Sequence, residues 1–202
     1  MSLFSCNVVL LPSTKLANEA VTLSKRLEKY GTLYTLNDAG PFPHVSLYMT
    51  QLREETLGQV EELLAHIAGD FRAMSLQSIH YGQAEGYIDA EYARSPQLNE
   101  LQMRVVNALN PIRDGLREKD RVRMADATGV VRANLERYGY RSIGELFRPH
   151  ISFTRFADGG SIATNDLLPY QTFTGDFGVL GLFEMGDNGT CIRHLASFPL
   201  SA

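Results

Sequence analysis

Along the 202 residues the spacing of apolar positions changes from segment to segment, and each spacing predicts an element. Residues 3–11 are a short apolar run halted by Pro12, Ser13 and Thr14, which predicts a buried strand. Over 16–30 the period lengthens: Leu16, Ala20, Leu23 and Leu27 share one helical face, and Gly31 offers a stop. Leu36 to Pro43 carries Asn, Asp, Gly and two prolines and is expected to be a loop. A strand is expected from His44 to about Met49. Helical spacing returns over 54–68, with Leu57, Val60, Leu64 and Ile67 inward.

Further along, strands are expected at 72–81 and 86–92, with Gly82 and Gly86 marking the turn between them. A helix is predicted over 96–118 through Leu98, Leu101, Val105 and Leu109, and another from about Asp126 to Tyr138. Ser142-Ile143-Gly144-Glu145 has the spacing of a capping box, so a further helical turn is expected before Pro149. A strand should run from His150 to about Arg155. Two more, near 173–185 and 190–199, are joined at Asp187-Asn188-Gly189, the strongest hairpin signal in the chain. No linker rich in Pro, Gly or Ser divides the sequence. The pattern predicts an α+β fold over residues 1–202, a single bilobal unit with two lobes packed about a pseudo-two-fold axis and antiparallel sheets lining a central cleft.

The two-fold echo comes from one motif that occurs twice. Pro43-His44-Val45-Ser46-Leu47 and Pro149-His150-Ile151-Ser152-Phe153 share a Pro-His-aliphatic-Ser-apolar pattern. Side chains two apart in a strand face the same way. Each copy therefore presents an imidazole and a hydroxyl on one face and apolar side chains on the other. A single strand histidine is ordinarily an edge or core residue. A chance match to the whole pattern costs on the order of one in 10⁵ per position from background usage, and two matches point to chemistry.

Composition narrows the partner. The hydrophobic share of 44% and charged share of 21% are those of a soluble globular chain, and the formal net charge of −4 offers no overall basic surface to long nucleic acid. A small anion or an oligonucleotide end fits better, and no long duplex is expected. Cys6 and Cys191 have no metal-ligand or disulfide-framework spacing and are expected to be reduced thiols. No signal-peptide pattern opens the chain, and the run ending at Leu11 is too short to span a membrane. A cytoplasmic location is the default expectation.

The two motifs resemble those of the two-histidine phosphoesterase superfamily, which includes the 2′-5′ RNA ligase-like and cyclic phosphodiesterase proteins. That family carries two His-x-Ser/Thr motifs roughly a hundred positions apart; here they are 106 apart, and the second continues Phe153-Thr154-Arg155, similar to the family's frequent basic residue. The resemblance implies a bilobal cleft lined by His44, Ser46, His150 and Ser152. It also implies hydrolysis of 2′,3′-cyclic phosphates or related nucleotide or RNA-end phosphodiesters. Arg113 to Gly144 is longer than a minimal member needs, and the sequence assigns it no role.

The chemistry can be argued without the family. Opening a cyclic phosphodiester takes a base for water and an acid for the leaving oxygen, and imidazole titrates near neutrality, which suits both tasks. Serine hydroxyls can donate to the non-bridging oxygens as charge builds there. No metal and no cofactor is expected, since neither His-Glu-x-x-His nor Cys-x-x-Cys spacing is present. Tyr48, on the face assigned to His44 and Ser46, is either a base-stacking or a packing residue. Arg155 is either a phosphate contact or a surface arginine at a strand end. His66, His80 and His194 are expected to be solvent-facing or structural. A nucleotide-binding module without turnover and a 2′-5′ ligase remain the rival readings, and the sequence does not say which histidine is base and which is acid.

Overall fold

The computed structural model describes residues 2–165 and 167–201. The opening apolar run becomes strand β1 (Leu3–Pro12), buried from Cys6 to Leu10 because both of its faces are covered. Helix α1 (Thr14–Leu27) buries Leu16, Ala20, Leu23 and Leu27, as its spacing predicts. A 3₁₀ turn then ends at Gly31, whose φ of 76° suits glycine. Strand β2 (Val45–Arg53) leads to helix α2 (Leu57–Asp70), packed through Val60, Leu64 and Ile67.

The next stretch departs from expectation. In place of one strand over 72–81 there are two, β3 (Met74–Leu76) and β4 (Ser78–Ala84), and they belong to different sheets. The chain changes sheets at Gln77, and Ser78 N–H donates to Thr174 Oγ1 at 3.0 Å just beyond it. The turn into β5 (Tyr87–Tyr92) is made by Glu85 and Gly86, both at positive φ. Gly82 lies inside β4, opposite Asp89. Helix α3 (Pro96–Leu109) is capped by Ser95, whose Oγ accepts from Leu98 N–H at 3.1 Å. It stops well before residue 118 because Pro111 has no N–H to continue the ladder.

Two short helices follow, α4 (Glu118–Met124) and α5 (Gly129–Tyr138), then a 3₁₀ turn over Gly144–Leu146. Ile143 occupies the cap position of that turn, with no side-chain bond, so the expected capping box is not formed. Strand β6 (His150–Arg155) carries the second motif. The chain closes with β7 (Gly175–Met185) and β8 (Cys191–Pro199), joined at Asp187–Gly189 with Asn188 and Gly189 at positive φ.

The larger sheet runs β2-β1-β7-β3, with β8 also paired to β7; the smaller runs β4-β5-β6, and every pairing is antiparallel. Within these ladders each motif strand pairs with one neighbour only, β2 with β1 and β6 with β5. A continuous hydrophobic core joins the two sheets, drawing Leu10, Leu47 and Leu180 from one and Ile88, Ile151 and Phe153 from the other. The apolar backs of both motif strands are thus in the shared core, and their polar faces turn to the cleft between the sheets. Among the described residues no helix is long and apolar enough to cross a membrane.

Candidate active site

The two motif strands are built alike to a degree the sequence pattern did not reveal. In the β1–β2 pairing Val8 faces Tyr48 and Val9 faces Ser46, so Leu47 has no partner. In the β5–β6 pairing Ile88 faces Thr154 and Asp89 faces Ser152, so Phe153 has none. Each strand thus carries a β-bulge at the apolar residue that follows the serine. A bulge inserts one residue and reverses the alternation beyond it. The histidine and serine before the bulge face the cleft; the residue after it, Tyr48 or Thr154, turns into the core, where both are fully buried.

His44, Ser46, His150 and Ser152 all line one cleft of about 1010 Å³. The imidazoles are held in the same way. His44 Nδ1 lies 2.7 Å from the Phe42 carbonyl and His150 Nδ1 lies 2.6 Å from the Arg148 carbonyl, each two residues back. A carbonyl only accepts, so Nδ1 carries a proton in both rings. In the neutral form the lone pair is then on Nε2. His150 Nε2 has no hydrogen-bond partner among the described residues. His44 Nε2 has Asn7 Nδ2 at 3.3 Å and Cys191 Sγ at 3.7 Å.

The serines differ. Ser46 Oγ accepts from Asn7 Nδ2 at 2.8 Å, and its own hydrogen has no acceptor among the described residues. Ser152 Oγ donates to Asp89 Oδ1 at 2.6 Å, so its hydrogen is already committed to a buried carboxylate. Donation by Ser152 to a phosphate therefore requires the hydroxyl to turn away from Asp89, so the two serines, alike in the sequence pattern, are not equivalent in the fold.

Around this symmetric backbone the surroundings are unlike. Register places Val9 beside Ser46 where Asp89 stands beside Ser152, and Phe42 precedes His44 where Arg148 precedes His150. On the His44 side Val9, Leu11, Phe42, Phe183 and Cys191 form a small apolar cluster. On the His150 side Arg148 bridges Asp89 at 2.7 Å and Glu91 at 2.5 Å. Gly82 keeps room for that bridge, since a Cβ there would come 2.8 Å from Arg148 Nη1. Burial lowers the His44 pKa to about 4, with the nearby His150 adding to the effect and the Phe42 carbonyl opposing it. His44 is therefore neutral at neutral pH.

Two expected contacts are corrected. Tyr48 does not share the cleft face, because the bulge at Leu47 turns it inward; its hydroxyl donates to the Tyr138 carbonyl at 2.6 Å. Arg155 is not among the cleft-lining residues. Its guanidinium lies over the Tyr87 ring and donates to the Glu85 carbonyl at 3.0 Å and to Asn188 Oδ1 at 2.9 Å, pinning two turns at the cleft edge. His66, His80 and His194 are exposed and lie outside the cleft lining. Sequence reasoning missed Asn7, Asp89 and Arg148. Asn7 and Asp89 are polar residues inside apolar strand runs, and Arg148 stands two before His150, signals that a search for buried polar groups would have raised. Among the described residues no cluster of three or more His, Cys, Asp or Glu side chains is placed to hold a metal ion.

With this geometry in place, comparison with solved structures shows the fold to be the LigT-like, two-histidine phosphoesterase fold. LigT of E. coli complexed with phosphate is 13% identical, with both chains covered in full and a TM-score of 0.60. LigT complexed with 3′-AMP is 15% identical with the same coverage and a TM-score of 0.59. TT0787 of Thermus thermophilus is 13% identical over 97% of each chain, with a TM-score of 0.60. No curated protein matches the sequence. A family model covers residues 49–164, more than half of the chain, which therefore belongs to the family described as "Protein of unknown function (DUF1045)".

Proposed function

We propose that the protein is a metal-independent phosphodiesterase that hydrolyses 2′,3′-cyclic phosphates or related nucleotide or RNA-end phosphodiesters by two-histidine acid–base catalysis. One observation carries the reading: two imidazoles on one cleft, each tied through Nδ1 to the carbonyl two residues back. The LigT structures complexed with phosphate and 3′-AMP support a phosphate-bearing nucleotide as ligand.

In this mechanism His44, kept neutral by its apolar surroundings, takes a proton from water at Nε2. The hydroxide oxygen forms a new bond to phosphorus and one bridging P–O bond breaks. His150 gives the Nε2 proton to the departing oxygen, so the product is a phosphomonoester with a free hydroxyl. Charge on the non-bridging oxygens is met by the Ser46 hydroxyl, whose hydrogen is uncommitted. Solvent then returns the proton from His44 to His150.

The test is incubation of EDTA-treated protein with a nucleoside 2′,3′-cyclic phosphate, followed by phosphorus NMR. The account expects conversion to a single monoester. Saturable binding with no product would make the protein a nucleotide-binding module.

A further inference from the structure

Residues 113–144, which the sequence left without a role, form one wall of the cleft. Their anchor is Asp120, fully buried on α4. It accepts from Arg117 Nε at 2.7 Å and from Arg123 Nη1 at 2.9 Å. Arg117 also lies over the Tyr140 ring and reaches Met185 Sδ at 3.2 Å, which ties α4 to the larger sheet.

One carboxylate is thus shared by two arginines, and a third cation is added. Lys119 lies four residues before Arg123, so the two project from the same side of α4, and both line the cleft. The Lys119 ammonium makes no ion pair or hydrogen bond among the described residues. Arg117, Lys119, Arg123 and Arg141 against Glu118 and Asp120 leave an excess of two positive charges on this wall. Partial desolvation lowers the Lys119 pKa, and Arg123, Arg155 and Arg117 push the same way, while Glu85 acts in the opposite sense. Like charges gathered at i and i+4 destabilise a helix unless an anion joins them.

We propose that α4 supplies a second anion subsite, in which Lys119 and Arg123 hold a phosphomonoester carried by the same small substrate whose phosphodiester meets His44 and His150. This rests on the phosphodiesterase reading and narrows it. A dianion matches the excess charge on the wall, and the cleft is larger than a single cyclic phosphate group requires. The preferred substrate is then a doubly phosphorylated small molecule, such as a 5′-phosphorylated nucleoside cyclic phosphate.

Calorimetry on the His150→Ala protein, whose turnover should be slowed enough for binding to be read, tests the subsite with adenosine 2′,3′-cyclic phosphate, its 5′-phosphorylated form, and an adenylyl dinucleotide with a cyclic end. A charge-assisted contact should make the 5′-phosphorylated ligand bind roughly 10–100-fold more tightly than the unphosphorylated one. The dinucleotide, whose second phosphate is a monoanionic diester, should gain less. Adding Lys119→Gln should bring the first ratio close to one without lowering the melting temperature. Equal affinity for the first two ligands, or a ratio untouched by both Lys119→Gln and Lys119→Glu, would overturn the subsite. A dinucleotide bound as tightly as the monoester would do the same. Turnover is scored separately on the protein with both histidines: failure to hydrolyse any of the three ligands overturns the phosphodiesterase reading, and the affinity ratio still decides the subsite.

Discussion

His44 is the residue on which pH should act first. As a base it must be neutral, and burial holds its pKa near 4 in place of 6.5. The acid limb of kcat/KM should therefore fall as pH drops through about 4, with the base fully available above pH 5.5 or so. An acid limb centred near 6.5 would show that His44 is not the base. The same depression bears on stability. Between pH 6.5 and 4 the unfolded chain takes up a proton at His44 that the folded protein does not, so stability is lost as pH falls through that window. Replacing His44 with Gln should flatten this part of a melting-temperature profile. The serines should also separate. Ser46→Ala removes a free donor and should lower kcat by up to about 10²–10³-fold. Ser152→Ala removes a hydroxyl already given to Asp89 and should cost kcat less. Equal losses in the two variants would show that Ser152 turns to the substrate. Both His-Ser pairs were legible in the sequence because the pattern repeats. Their partners were not, because Asn7 and Asp89 come from neighbouring strands and only register brings them alongside.

At the scale of elements, the helices were legible wherever period alone decides them, as in α1 and the first part of α3. Period-2 reasoning failed at Tyr48, because a bulge depends on the pairing strand and leaves no mark in spacing. The division of 72–84 into β3 and β4 was hidden for the same reason: their partners, β7 and β5, lie in different sheets. The bulge in β6 rests on Phe153, which is fully buried and packs on Phe173 with centroids 4.6 Å apart and on Tyr81 at 6.2 Å. Phe153→Ala should destabilise the fold by about 3–5 kcal/mol. Chemical denaturation measures this directly; a loss below about 1 kcal/mol would mean that the bulge does not depend on that contact.

For the whole molecule, the expected α+β architecture with two sheets around a cleft is the one observed, and the long middle segment proves to be a wall of that cleft. The wall could not be inferred from its mixed charges, which in sequence look like a solvated face; burial of Asp120 and the shared ion pairs organise them. Two lobes that share one core hold His44 and His150 on opposite sides of a single opening, and the central claim is that the two act on one bond. The measurement that tests it most directly is kcat for hydrolysis of a 2′,3′-cyclic phosphate by EDTA-treated wild type, His44→Ala, His150→Ala and the double variant. Each single change should lower kcat by roughly 10²–10⁴-fold, and the double variant should lose less than the product of the two, since both residues serve one transition state. A single variant with near wild-type turnover, or activity lost to EDTA and restored by Zn²⁺, would contradict the account.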